Sequence, residues 1–555
     1  MKRVKYIYHY KLLVLPLIVL LCSGFFKGDG DVYFKISKSI DIFGKVYRSI
    51  STEYVDQIEP EEFMRAGING MLSALDPYTV FIDEKGKEDI NLLTDGKYGG
   101  IGVSIGLRNN EVLIVDIMEG YSAQRQGLRI GDVITKIGDT EVNAANFDDI
   151  SNYVKGEPGT ELKLTIKRDD LEEPLQFNLL REEVVIKNLT FYDFIPEGSN
   201  NAYLKLTGFS RGAGAEIKKG LEELSAKREI KSIILDLRGN PGGLLDAAVD
   251  VAEKFLKKGQ LIVSVVGRDT TQISEHFSSE EPAASNNVKL AVLVDEGTAS
   301  ASEIVAGAIQ DHDRGVIVGA KTFGKGLVQT IIPLSYNTSL KITTAKYFTP
   351  SGRCIQKIDY SDHNDVLLPS KILTTKTYNT DNKRLVYSAG GITPDSLVAD
   401  DDIFSIDEDL LAKGMYFKFA THYYGKNPSM DYAKIEDEKI FNEFTSFIET
   451  SNYKYNSGVS KKLKELAGIM EDEGYDKSLS ADLQQFEKKI KEFEHKELGR
   501  YKKNITKEIK MELVPRYAGQ SARIKESLKD DRQFDTAYNL LNNHKTYSKM
   551  LALSK

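Results

Sequence analysis

Four textures follow one another along the chain. From about residue 32 to 93, apolar positions recur every three or four residues, first Ile36, Ile40, Phe43, Val46 and Tyr47, then Phe63, Ile68, Met71 and Leu72, as far as the break at Asp76-Pro77. That period is one face of a helix, so a small helical leader is predicted. Between Tyr98 and Arg181 the apolar positions fall in short alternating runs, 101–107, 112–117 and 162–167, with a short helical piece at 122–126. Period two in short runs predicts one β-rich module. From Ala202 to about Asp395, strand-like runs at 232–238, 261–266, 290–294, 316–318 and 327–333 are interleaved with helical stretches at 244–256 and 302–310. Units of this length predict a mainly parallel sheet with helices packed on it. Beyond about Asp400 the chain becomes charged and helical. Its stripe of Leu483, Phe486, Ile490, Phe493, Leu498, Tyr501, Ile505 and Ile509 reads as one apolar helix face.

Composition narrows the picture. The 555 residues are several times a usual domain of ~100 to 150, so three or four domains with at least one large core are expected. Net charge is −8, with 74 basic residues interspersed among 82 acidic ones, which is no footprint for nucleic acid. The two cysteines, Cys22 and Cys354, leave no disulfide framework and no CxxC metal site.

The first thirty residues set a location. Lys2, Arg3, Lys5 and Lys11 precede an apolar run at 12–26, interrupted by Pro16 and by the small Ser23 and Gly24. A charged end followed by a short apolar run reads as an export signal, which places the body outside the inner membrane, in a periplasmic or other extracytoplasmic compartment. Fifteen residues fall short of the ~20 of a full span, and Cys22-Ser23-Gly24 offers a small-residue cleavage site. Cleaved signal and membrane anchor therefore stand side by side, with lipidation of Cys22 a lesser reading because Leu21 is bulky. The expected organisation is residues 1–30 signal or anchor, 31–95 helical, 96–182 β-rich, 183–400 α/β core and 401–555 helical.

The chemistry concentrates in the α/β core. Ser300 follows an apolar strand and the turn Asp295-Glu296-Gly297, and precedes a helix from about Ala301. A hydroxyl there lies beside free helix N–H groups, where negative charge is favoured. The same residues, Ser300-Ala-Ser-Glu303, also fit a capping box, Ser at N-cap and Glu at N3, so the serine needs a partner before it reads as a nucleophile. Lys325, between Gly324 and Gly326, is that candidate. A lysine titrating near ~10.4 is no base at neutral pH, but burial against Phe323 would lower it. Gln329 lies on the same strand face as Lys325, yet ~13 Å away in extended geometry. The run Asp236-Leu-Arg238-Gly239-Asn240-Pro241-Gly242-Gly243 ends another strand; the N–H groups of Gly242 and Gly243, with that of Ala301, are candidates for an oxyanion hole.

Two other readings of these segments are weaker. Residues 319–325 fit G-x-x-x-x-G-K, but Gly326 replaces the Ser or Thr a P-loop needs and a strand follows, so nucleotide binding is discounted. For a Ser-His pair, His312 stands twelve helical residues from Ser300, ~18 Å away; spacing leaves His276 and His363 open. In the β-rich module, Gly100, Ile101, Gly102 and Val103 form a glycine-flanked entry to a strand, and Gly131-Asp132 follows later. Successive N–H groups there could capture a C-terminal carboxylate while the peptide adds as an extra strand.

Taken together, Leu72-Ser-Ala-Leu-Asp76-Pro77, Gly100-Ile-Gly102, the 236–243 run, Ser300-Ala-Ser-Glu303-Ile, Thr322-Phe-Gly-Lys325-Gly and Thr349-Pro-Ser-Gly-Arg353 resemble the C-terminal processing peptidases of the tail-specific serine protease family. The resemblance covers roughly residues 50–395. It implies an α+β multidomain fold: an N-terminal helical segment, a PDZ domain, an α/β catalytic core like that of crotonase and Clp protease, and a helical C-terminal region. It implies Ser300 as nucleophile in preference to Ser302, Lys325 as general base, Gln329 supporting the lysine, and a glycine of the Gly242-Gly243 pair with Ala301 as oxyanion donors. The implied activity is endoproteolysis of proteins or peptides with accessible C-termini, docked on the PDZ domain, with no metal or organic cofactor; a homo-oligomer is left open. Thr298 and Cys354 depart from the family's usual serines. The alternative class is a non-catalytic adaptor in which Ser300 merely caps its helix.

Overall fold

The computed structural model describes residues 29–552, apart from 87–89, 91, 93, 109, 361–370, 400–403, 452, 456, 475 and 476. The apolar run at 12–26 and His363 lie outside the described residues.

A six-stranded sheet organises the α/β region, in the order Leu189–Phe194, Asn201–Leu206, Ser232–Asp236, Lys289–Val294, Val316–Gly319 and Ser396–Leu397. The first pair is antiparallel and the remaining pairs are parallel. The central stretches 233–235, 290–294 and 316–318 are apolar throughout because both faces are covered, as expected of parallel strands. Leu204, Ile233, Leu235, Leu290 and Val292 point into one core with the helices Ala213–Lys227, Leu245–Glu253 and Ala301–Asp311. Tyr203, Ile234, Ala291, Leu293, Val316 and Val318 point the other way, onto Phe534, Ala537, Leu541 and Tyr547. These last four belong to the helices Arg532–Asn542 and His544–Leu551, so these helices complete the core of the six-stranded sheet.

Two of the strands expected in the parallel sheet lie elsewhere. Leu261–Gly267 and Leu327–Pro333 join an antiparallel sheet with Ile273–Phe277, Ser339–Phe348 and the short Val80–Ile82. An apolar run alone does not tell a parallel strand from an antiparallel one. The leader, too, is less helical than its period suggests: Asp29–Glu53 and Pro60–Leu72 are helices, but Val80–Ile82 is an edge strand on the antiparallel sheet.

The β-rich module forms its own core from Ile101, Ile114, Ile134, Ile150, Leu164 and Ile166. Its strand Val103–Arg108 pairs on one side with Glu111–Ile117, and among the described strands nothing pairs with its other edge. The C-terminal region packs around Tyr416, Phe419, Phe444, Ile505 and Ile509. The apolar stripe read there as one helix is divided between Lys477–Arg500, where Phe486 and Phe493 are exposed, and Lys502–Ser527, where Ile505 and Ile509 are fully buried. Within Lys502–Ser527, Gly519 takes φ 77° and breaks the helical path. At that kink the helix meets the β-rich module, Gln520 Nε2 donating to Asp116 Oδ1 at 2.7 Å. Nearby, the Arg108 and Arg516 guanidiniums lie over the Phe417 ring at 4.5 and 4.6 Å.

Candidate active site

Ser300 ends the turn that follows strand Lys289–Val294 and precedes the helix Ala301–Asp311, as its sequence neighbourhood predicts. Its backbone is unusual, with φ 55° and ψ −114°. A non-glycine residue there costs ~1 to 3 kcal/mol and persists only if its surroundings impose it. They do. The Ser300 N–H donates to Glu303 Oε2 at 2.8 Å, the Ala299 N–H to the Asn240 carbonyl at 3.1 Å, and the Tyr347 hydroxyl to the Ser300 carbonyl at 3.2 Å. The arrangement is that of a capping box, the Glu303 carboxylate on the Ser300 N–H and the Ser300 side chain facing the Glu303 N–H. The Glu303 N–H also donates to the Ser300 carbonyl at 2.9 Å.

Glu303 reaches further than a cap. Its buried carboxylate also accepts from the Thr322 hydroxyl at 2.6 Å, the Gly324 N–H at 2.8 Å and the Lys325 N–H at 2.9 Å. One side chain thus joins the serine turn to the lysine loop, 25 residues apart in sequence. Burial pushes its carboxyl up to about 7, against the opposing pull of these four donors. In sequence it looks like an ordinary N3 residue; the available signal was a carboxylate amid the small and apolar residues of 301–309.

Lys325 is largely buried, and its ammonium sits 4.3 Å from the centre of the Tyr78 ring. Burial, then the positive charge of Lys341, brings its pKa down to about 8, while Asp76 and Glu303 pull the other way. Tyr78 follows the Asp76-Pro77 motif in the leader, and Asp76 Oδ1 fixes that turn by accepting the N–H groups of Tyr78 and Thr79 at 2.9 and 3.0 Å. No hydrogen bond joins the Ser300 hydroxyl to the Lys325 amine, and none joins Gln329 to it. A β-bulge between Val328 and Gln329 sets that register, and the Gln329 amide donates to the Thr343 hydroxyl at 3.2 Å. The structure therefore brings Ser300 and Lys325 onto one carboxylate, while the Gln329 amide is turned to Thr343 on the neighbouring strand Ser339–Phe348.

The 236–243 run separates two glycines that the sequence could not distinguish. The Gly242 N–H donates to Asn240 Oδ1 at 2.9 Å, whereas the N–H groups of Gly243 and Ala301 meet no acceptor among the described residues. Gly242 takes φ 98°, and a Cβ there would lie 2.7 Å from the Ala299 carbonyl and 2.9 Å from Ser300 Cβ. Only glycine lets this loop pack against the serine. At the head of the loop, Asp236 is fully buried and receives Arg238 Nη2 at 2.7 Å, the Tyr203 hydroxyl at 2.6 Å and Lys205 at 3.2 Å. Burial alone would raise its carboxyl, but Arg238 and Lys205 outweigh that and hold it well below the usual range.

In the β-rich module, Gly100 belongs to strand Lys97–Gly100, paired with Glu182–Val185, and Val103 opens the edge strand. Between them the N–H groups of Ile101 and Gly102 meet no acceptor among the described residues, while their carbonyls accept from Ala123 and Met118 at 3.0 and 2.9 Å. Of the histidines, His312 lies at the far end of the serine helix, bound to Asp381 and the Leu261 carbonyl, and His276 stands on strand Ile273–Phe277. Among the described residues no group of three His, Cys, Asp or Glu side chains is placed to hold a metal ion.

Comparison with known proteins names this arrangement. Residues 200–365 match the model of peptidase family S41 and residues 99–179 that of the PDZ domain. A carboxy-terminal-processing protease of Bartonella bacilliformis is 36% identical over 324 residues, which cover 58% of this chain and 73% of the relative. The chain belongs to peptidase family S41. In this S41 peptidase, residues 29–86 match the "Activating protease CtpB N-terminal domain" and residues 406–541 the "Probable PDZ-protease, C-terminal helical domain". The carboxy-terminal processing protease CtpB of Bacillus subtilis is 30% identical over 321 residues, 58% of this chain and 66% of the relative. Among solved structures, a photosystem II D1 C-terminal processing protease is 26% identical, covering 63% of this chain and 85% of its own with a TM-score of 0.35. The S41 peptidase is a serine protease with a PDZ domain, a helical N-terminus and a helical C-terminal domain.

Proposed function

We propose that this S41 peptidase cleaves proteins near their C-termini through a Ser300–Lys325 dyad, after the substrate's C-terminus docks on the PDZ domain. The observation that carries the reading is the Glu303 carboxylate, which accepts the N–H groups of both Ser300 and Lys325 and so gives serine and lysine a common support. The neutral Lys325 amine takes the Ser300 proton as Oγ bonds the scissile carbonyl carbon. The carbonyl oxygen, now negative, is received by the free N–H groups of Gly243 and Ala301. The ammonium of Lys325 returns the proton to the leaving amine as the peptide bond breaks, and water then cleaves the acyl-enzyme with the amine again acting as base. Because the amine rests over Tyr78, the long lysine side chain must swing to the hydroxyl when substrate arrives, as catalytic contacts often tighten only in the complex. Gln329 supports the dyad at one remove, through the strands that carry the lysine loop.

The unpaired N–H groups of Ile101 and Gly102 receive the substrate's terminal carboxylate, and the open edge of Val103–Arg108 takes its last residues as an added strand. Residues 1–30 act as a signal or anchor, so the substrates are exported proteins. The test is cleavage of an unstructured protein with an apolar C-terminus by the wild type, Ser300→Ala and Lys325→Ala. Both variants are expected to be inactive while still binding the C-terminal peptide; turnover by Ser300→Ala at the wild-type rate would refute the assignment.

A further inference from the structure

Among the described residues, the C-terminal domain hydrogen-bonds the 238–243 loop at Arg238, through Asp531 and Gln533. Arg238 stands between the buried Asp236 and the oxyanion loop. Its Nε and Nη2 bind Asp236 at 3.0 and 2.7 Å, its carbonyl accepts from Lys205 Nζ at 3.0 Å, and its Nη1 donates to Asp531 Oδ2 at 2.7 Å and to Gln533 Oε1 at 3.1 Å. Asp531 uses its second oxygen to cap the helix Arg532–Asn542, accepting the N–H groups of Gln533 and Phe534, each at 3.0 Å. One carboxylate therefore fixes the helix that covers the catalytic sheet and the arginine that heads the 238–243 loop.

From Arg238 the connection to the reacting atoms is short and continuous. The Gly239 N–H donates to Asp295 Oδ1 at 2.9 Å. The Asn240 carbonyl accepts from the Ala299 N–H at 3.1 Å and the Ser302 hydroxyl at 3.0 Å. Gly242 then packs directly on Ser300. Among the described residues, Asp531 and Gln533 are the side chains from beyond the 183–400 region that hydrogen-bond this loop. Arg238 and Asp531 are 17% and 14% exposed, which leaves the pair only partly screened by water.

We propose that Asp531 is a positioning residue for proteolysis: it holds Arg238, and through Arg238 it holds the oxyanion loop in register with Ser300. The proposal rests on the reading of Ser300 as nucleophile and of the Gly243 and Ala301 N–H groups as its oxyanion hole. A shift of this loop weakens only the contacts made to the developing oxyanion, so it lowers kcat and leaves substrate binding on the PDZ domain intact.

Asp531→Asn in the full chain is the informative variant, because asparagine caps helices as well as aspartate does but carries no charge for Arg238. Expected is a fall in kcat of about tenfold with KM within about twofold, and an equal loss of affinity for a peptide aldehyde, whose oxygen must enter the same hole. An unchanged kcat, or a kcat and KM that change together, would overturn the proposal. Asp531→Ser, also cap-competent, guards against misfolding; failure of both variants to fold would assign the residue a purely structural role and overturn the proposal as well. Ser300→Ala assayed alongside separates the two readings: if it is inactive while Asp531→Asn is normal, only the positioning role falls, and if it remains active, both do.

Discussion

Replacing Tyr78 with alanine tests whether the environment of Lys325 is what makes it a base. The ring covers the ammonium at 4.3 Å, and burial is the largest influence lowering the lysine from 10.5 to about 8. Two effects oppose each other on removal. Losing a cation–π contact of about 0.5 to 2 kcal/mol favours the neutral amine, by roughly 0.4 to 1.5 pH units. Readmitting water favours the ammonium by up to the full 2.5 units between 10.5 and about 8. Hydration is the larger influence, and the base is expected to titrate about one unit higher. At pH 7 the neutral fraction then falls from roughly a tenth to roughly a hundredth. The assay is kcat/KM against pH on a soluble peptide, which reports the free enzyme. With neutral Lys325 as the proposed base, the wild-type limb should rise with pH and level off above about 8. The alanine variant should be about tenfold slower at pH 7 and recover by about pH 10. Tyr78→Phe keeps the ring and should leave the limb in place. A limb that stays fixed or moves to lower pH in Tyr78→Ala would refute this account of the lysine.

Three further outcomes are expected. Gly242→Ala places a Cβ against Ala299, Ala301 and Ser300 at φ 98°, and should abolish turnover and reaction with a serine-directed acylating reagent while PDZ binding, read by fluorescence anisotropy, is retained. Gly102→Ala, at φ 79° with its Cβ only 2.4 Å from Tyr121 Cβ, should do the reverse, weakening C-terminal peptide binding while Ser300 still reacts. Phe534→Ala removes a buried ring packed edge-on against Tyr203 at 5.8 Å, and should lower stability by about 3 to 5 kcal/mol in urea unfolding followed in the catalytic region. Unfolding of the tail alone, with the sheet unaffected, would contradict the assignment of that helix to the catalytic core.

What was legible in the sequence was local. Helical and strand periods marked the leader, the PDZ domain, the serine helix and the strand before it, because these depend on neighbours within a few residues. The motifs around Ser300, Lys325 and residues 236–243 marked candidate residues by type and spacing. Tertiary structure decided what those segments meet. Glu303 reads as a capping residue until Thr322, Gly324 and Lys325 are seen to converge on the same carboxylate. Gly242 and Gly243 are alike in sequence, and only the Asn240 side chain, by occupying one N–H, distinguishes them. Two apolar strands were assigned to the wrong sheet, since an apolar run records burial but not the direction of its partner. The charged tail reads in sequence only as helical with an apolar face; Phe534 and Asp531 carry it onto the catalytic sheet and the Arg238 loop. Local periodicity fixes an element and its buried face; which other segment provides the burial depends on contacts hundreds of residues apart, and no window along the chain contains them.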